Sequence, residues 1–379
     1  MPDAFPAGRI ASLDGLRALA VLSVLLAHQA RYLPGTQPLA SIAGPLGVQI
    51  FFVISGFLIT TLLLRERALT GAISVPRFYA RRALRILPVF YGFVLVVVAL
   101  QMSHGISLPP GNLWYVLTYT ANYAPAGCWW TGHLWSLAVE EQFYLIWPLM
   151  LRFFSMATNR QAAIALVIAA PLLRLVAHNI TPAHHPVWHR LFPSTAFPLM
   201  ADAIACGCLL AMGLPFLAKA PTLQRLLGSP LAFWLLPALI LLHSWSPRWH
   251  LFGAGLYAIS GVTAMNFAIA FGVAKFTLFP VGMAGKFLNS RLLVIIGLLS
   301  YSLYVWQQLF FNAGGHTLLQ RPMINLGVTF AVAGASYYGL ERPLLGLRRR
   351  WRSGPAATPR AGPTQGILAT PVPVLQKMV

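Results

Sequence analysis

Eleven positions separate Arg17 from His28, and almost nothing but apolar side chain lies between them. A guanidinium is a permanent cation suited to phosphate or carboxylate, and an imidazole is a base that works near neutral pH. In a hydrophobic helix both are costly, which makes each a functional candidate. Eleven helical steps bring the two side chains to within about 20° of one face and set them about 16 Å apart along the axis. They can line one pathway but cannot touch. Asp14, three residues before Arg17, either caps the helix and pairs with Arg17 or orients it for a ligand.

Only seven acids occur in the chain, so each is informative. Glu140 and Glu141 are adjacent and point about 100° apart on a helix, a poor geometry for a carboxylate dyad. Glu140 shares a face with Ser136 and His133, consistent with a buried network or a functional group. Arg82 and Arg85 put two guanidiniums on one helical face. They fit phosphate oxygens of a ligand, or equally of lipid. Small residues from Gly44 through Gly47 to Ser55-Gly56 read as close helix packing more readily than as a phosphate loop, because the Walker lysine is missing. Three cysteines (Cys128, Cys206, Cys208) indicate neither a disulfide framework nor a metal site.

These residues need a scaffold, and composition names its class. The chain is 58% hydrophobic and 9% charged, against about 25% charged in soluble domains. Continuous apolar runs recur from end to end, which predicts an all-α, polytopic integral membrane bundle of about ten helices. The runs fall near 13–31, 46–64, 84–103, 134–151, 162–178, 196–216, 230–244, 252–273, 292–313 and 323–340. The first is read as a retained span and not a cleaved signal. With the N-terminus cytoplasmic, both termini are. Of the 27 Lys and Arg, Arg31, Arg190, Arg248 and Arg321 then lie outside and Arg174 within a span, the other twenty-two being cytoplasmic. That bias obeys the positive-inside rule, so the net charge of +20 reflects topology and membrane lipid, with no nucleic-acid partner. Residues 104–133, rich in Trp, Tyr and Asn, read as an outer re-entrant or interfacial piece. A second outer loop near 179–195 carries His184, His185 and His189. The membrane domain occupies 1–345, and 346–379 is a basic, then Pro/Ala/Thr-rich cytoplasmic tail without order.

Taken in order, six segments resemble the membrane-bound acyltransferase-3 family of bacterial O-acyltransferases over about 10–345. They are Leu13-Asp-Gly-Leu-Arg17 with its spacing to His28; Gly47-Val48 through Phe51-Phe-Val-Ile-Ser55-Gly-Phe-Leu58; Arg82-x-x-Arg85; His133-Leu-Trp-Ser136-Leu-x-x-Glu140-Glu141-Gln-Phe-Tyr144 followed by Pro148; Ser300-Tyr301-Ser-Leu-Tyr-Val-Trp306; and Glu341-Arg-Pro343. The resemblance implies an acyl-CoA co-substrate, most simply acetyl-CoA, taken from the cytoplasm, with no bound cofactor or metal. It also implies acylation of a hydroxyl on a glycan or lipid-linked oligosaccharide at the bacterial cytoplasmic membrane. Arg17, His28, Arg82, Arg85 and Glu141 match positions regarded as essential. Gln307 departs from the pattern, since members often have histidine there, which puts a catalytic duty for that position in doubt. The hydrolase-like outer domain of some members is not found, so the chain acts alone or with a separate outer-face partner.

The expected division of labour makes His28 the general base, with Arg17, Arg82 and Arg85 holding the donor and Glu141 orienting His28 or the acceptor. His133, Ser136, Glu140, Asp14, Tyr301 and Trp306 support them. A transporter of acyl or glycan intermediates would use similar residues, though paired helix breaks are not evident. O-acylation of a small metabolite such as a macrolide is the other alternative.

Overall fold

A computed structural model describes residues 10–32, 35–125, 127–179, 193–229, 253–312 and 317–346, and within them the chain is helical, with no strand. The first half runs α1 (Ala11–Gln29), α2 (Gln37–Thr70) and α3 (Val75–Met102), then the short α4 (Asn112–Leu117) and α5 (Trp129–Gly132), then α6 (Leu134–Phe153). The second half runs α7 (Met156–Asn179), α8 (Phe197–Leu217), α9 (Pro221–Gly228), α10 (Gly253–Leu278), α11 (Gly282–Leu288), α12 (Arg291–Trp306) and α13 (Ile324–Ser336). A π-helical turn, Tyr337–Glu341, continues α13.

Seven of these helices are long and apolar enough to cross a bilayer: α1, α2, α3, α7, α8, α10 and α12. The α6 segment has the length, 20 residues, which spans about 30 Å. Its central Glu140-Glu141-Gln142 interrupts the apolar run. At 13 residues α13 is short by itself. The apolar run at 230–244 lies outside the described residues, as do His184, His185, His189, Arg190 and Arg248. Residues 104–133 form short helices and turns instead of a span.

Packing follows the small residues. Between membrane helices there is no hydrophobic drive to associate, so close backbone approach supplies the contact. A Cβ placed on Gly56 would strike the Ile204 carbonyl, and one on Gly207 the Val53 carbonyl, so α2 and α8 meet backbone to backbone. Likewise Gly47 lies on the Ala20 carbonyl, Gly15 on that of Leu288 and Gly297 on that of Asp14. These contacts seat α1 between α2 on one side and α11 and α12 on the other. The small-residue motif therefore packs helices, as its composition predicts. Cys206 and Cys208 are buried and unbridged in the same α8.

A charged lock joins α7, α8 and α10. Arg174 donates to both carboxylate oxygens of Asp202, at 3.1 and 2.7 Å. Arg174 also donates to Thr263 Oγ1, and Thr263 donates to Asp202 Oδ2, each at 2.7 Å. Arg174 was expected in a span, but its partner, 28 residues on, was not foreseen.

Candidate active site

The N-terminal halves of α1 and α3 and the middle of α2 and α6 converge on one pocket. Arg17, Arg82, Arg85, Glu140, Glu141, Ser55, Ser136, Tyr144, Tyr301 and Tyr304 line it, with Phe51, Phe52, Ile54 and Leu58 as apolar wall. Its cavity volume is about 80 Å³, well under the roughly 300–1,000 Å³ of a site that encloses a whole small molecule, so it holds only part of a ligand. Seven of the eleven residues expected to act or assist are thus brought together or joined through one step: Arg17, Arg82, Arg85, Glu140, Glu141, Ser136 and Tyr301.

Glu140 is held firmly. Ser55 donates to its Oε1 at 2.6 Å and the Tyr144 hydroxyl to its Oε2 at 3.2 Å. The Arg82 guanidinium lies 4.3 Å over the Tyr144 ring, a cation–π contact. Arg17 feels the charges of Asp14, Glu140 and Arg82, and Arg85 those of Arg17, Arg82 and Glu341. Among the described residues, none of the three guanidiniums makes a hydrogen bond or ion pair with the protein. Three half-buried cations sharing one cavity with their donors unspent make a site for a polyanion.

Neighbouring elements hold this arrangement. Tyr301 donates to the Ile86 carbonyl at 2.9 Å, tying α12 to α3. Glu341, buried on the π-helical turn, accepts the Ser302 hydroxyl at 2.5 Å. Gln142 bonds Asn122 and the Tyr119 carbonyl, at 2.8 and 2.9 Å, so the stretch 119–122 is clamped onto α6. Tyr119 stacks on Phe90 with centroids 4.5 Å apart. Burial, with Glu141 as a lesser cause, raises the pKa of its hydroxyl.

His28 does not line the arginine pocket. It sits about three turns further along α1 than Arg17, its Nδ1 2.7 Å from Gln307 Oε1. Trp129 meets its ring edge-on at 5.5 Å, with Phe311 6.4 Å away. Between the two centres lies His133, whose Nε2 is 2.9 Å from the Val305 carbonyl. The Tyr304 hydroxyl, 2.6 Å from Ser136 Oγ, donates to the His133 carbonyl at 3.1 Å. Ser136 and Tyr304 line the pocket while His133 backs onto them, so a short polar bridge leads from the arginines toward His28. Trp306 is buried, its indole packed against Phe93 at 5.7 Å.

Sequence reasoning passed over Ser55, Tyr144 and Tyr304. Each was quoted within a motif, and the available signal was a hydroxyl placed inside an otherwise apolar helix. Gln307 was singled out only as a departure. Among the described residues no three His, Cys, Asp or Glu side chains gather as metal ligands.

A family model described as an acyltransferase domain matches residues 10–339 of the chain. The chain belongs to the acyltransferase-3 family. Its acyltransferase domain therefore includes both the arginine pocket and the His28 centre. O-acetyltransferase OatA of Staphylococcus aureus strain NCTC 8325 is 30% identical over 362 residues, covering 88% of this chain and 56% of that protein. OatA of strain COL matches with the same identity and coverage. The chain thus spans about half the length of these relatives. No solved structure matches it.

Proposed function

We propose that this acyltransferase-3 chain is a multi-pass membrane O-acyltransferase. It moves an acyl group, most simply acetyl, from cytoplasmic acyl-CoA to a hydroxyl of a glycan or lipid-linked oligosaccharide at the bacterial cytoplasmic membrane. The observation that carries this reading is the convergence of Arg17, Arg82 and Arg85, which make no hydrogen bond or ion pair among the described residues, on one apolar-walled pocket. The phosphates of a coenzyme A thioester supply the matching anions. The relatives named as O-acetyltransferases support acetyl as the group moved.

The separation along α1 then has a chemical use. Arg17 and His28 stand about 16 Å apart, a distance suited to an extended pantetheine arm. With its phosphates at the arginines, the donor presents its thioester near His28. His28 takes the proton of the acceptor hydroxyl, whose oxygen attacks the thioester carbonyl. A new ester C–O bond forms, the C–S bond breaks, and the coenzyme A thiolate leaves and is protonated. Glu141 faces the arginine pocket beside Arg82, so its proposed role becomes tuning the guanidinium cluster in place of orienting His28.

The test is acyl transfer from radiolabelled acetyl-CoA to glycan by the purified chain in detergent. Transfer without a sealed compartment supports an enzyme, whereas activity that demands two compartments would support a transporter. His28→Ala should lower kcat by about 10²–10⁴ in protein that still elutes as a folded species. Near-normal turnover by that variant would remove His28 as the base.

A further inference from the structure

Gln307 is fully buried where α12 ends and tightens into the 3-10 turn Gln307–Leu309. Its Oε1 lies 2.7 Å from Nδ1 of His28, 279 residues away in sequence. Its Nε2 is buried and has no partner among the described residues. An amide left half-satisfied in a buried place is destabilising, so the position is a poor choice for stability alone. Local rules broken at a price in stability mark functional positions.

The other neighbours of His28 cannot do what Gln307 does. Trp129 and Phe311 offer ring carbons, and the Trp129 indole N–H is already given to the Gln308 carbonyl at 2.9 Å. Arg31, on the turn after α1 and 4.8 Å from the Trp129 ring centre, brings a repelling cation. His133, from the segment leading into α6, turns its Nε2 to the Val305 carbonyl. Gln308 Nε2 donates back to the Trp129 carbonyl at 2.7 Å. That pair of bonds pins the 3-10 turn and fixes Gln307 in front of the imidazole.

We infer that Gln307 is the positioning residue of His28: its amide oxygen accepts a hydrogen bond from Nδ1–H, leaving the Nε2 lone pair as the base that takes the acceptor's proton. A ring nitrogen's role is set by the bond its partner nitrogen makes. Orientation and tautomer are thereby held by a neutral group in place of a carboxylate. The inference rests on the reading of His28 as the base.

The experiment compares Gln307→Leu, Gln307→Glu and Gln307→His with wild type and His28→Ala in the full chain. Leucine keeps the volume and removes both the acceptor and the stranded amide nitrogen. The expected result is a kcat lower by about hundredfold with the KM for acetyl-CoA unchanged and a melting temperature equal to or above wild type. Glutamate accepts but does not donate, and histidine can accept, so both should restore kcat to within about tenfold of wild type. Nitrogen NMR of isotopically labelled histidine should report the Nδ1-protonated tautomer of His28 in wild type and its loss in Gln307→Leu. A Gln307→Leu variant that keeps kcat and the tautomer overturns the inference, as does one that loses stability and activity together without rescue by Gln307→Glu. If His28→Ala turns over like wild type, the base assignment fails instead, and the NMR tautomer still decides the Gln307 contact.

Discussion

Oε1 of Glu140 accepts the Ser55 hydroxyl at 2.6 Å, which bolts the middle of α2 to the middle of α6. Tyr144 bonds both groups, at 3.1 Å to Ser55 and 3.2 Å to Glu140. The carboxylate is therefore part of the wall that shapes the arginine pocket. Glu140→Ala should lower stability by about 1–3 kcal/mol, read as a drop in the melting temperature of purified protein. Ser55→Ala should cost less, about 1 kcal/mol. Unchanged melting in both variants would show that the contact does not hold the two helices.

Arg82 approaches the pocket through the Tyr144 face, 4.3 Å from its centroid. Arg82→Ala should weaken coenzyme A binding at least tenfold, about 1.4 kcal/mol, as measured by calorimetry on the purified chain. Arg82→Lys keeps the charge and part of the cation–π contact but loses the planar fork, so it should fall between the two. Binding equal to wild type in both would reduce Arg82 to a topology charge.

The Arg174–Asp202 pair allows a sharper separation of roles, because its side chains are 9% and 1% exposed. Removing one partner strands a buried charge, so Arg174→Met or Asp202→Leu alone should cost about 3–5 kcal/mol. The double variant Arg174→Met/Asp202→Leu should recover most of that loss, as replacing a whole buried pair often does. Melting curves of the two single variants and the double provide the check. Additive losses would argue that the two charges act independently.

Gly56 and Gly207 give a steric test. Gly56→Val should prevent α2 and α8 from meeting, since even a Cβ there would strike the Ile204 carbonyl. The variant should fail to accumulate in membranes. Gly213→Ala lies in the same α8 but has nothing within 4 Å of its Cβ position. It should be tolerated or gain up to about 1 kcal/mol.

Much of this was legible in the sequence, and the limits have physical causes. Runs such as 46–64 and 196–216 declare themselves because a bilayer demands some twenty apolar residues in succession. The convergence of Arg17, Arg82 and Arg85 was readable only as residue type and cytoplasmic edge, since nothing local says that α1 and α3 face a common cavity. Pairings such as Ser302 with Glu341 and His28 with Gln307 join distant segments, so periodicity along one helix cannot reveal them. The π-helical turn at Tyr337–Glu341 has no hydrophobic period of its own. Glu341 was therefore visible as a motif but not as a buried partner of Ser302.

The glycine seats of α1 carry a mechanical consequence. Backbone lodged against backbone at Gly15, Gly47 and Gly297 leaves no layer of side chains that could shear, so α1 resists sliding or rolling past α2 and α12. A machine that alternates between two openings needs such a slip plane along its central element. Here the central helix is an anchored rail, and the offset between its cation and its imidazole is a constant of the molecule. Any movement in the working cycle then falls to the substrates and to elements other than α1.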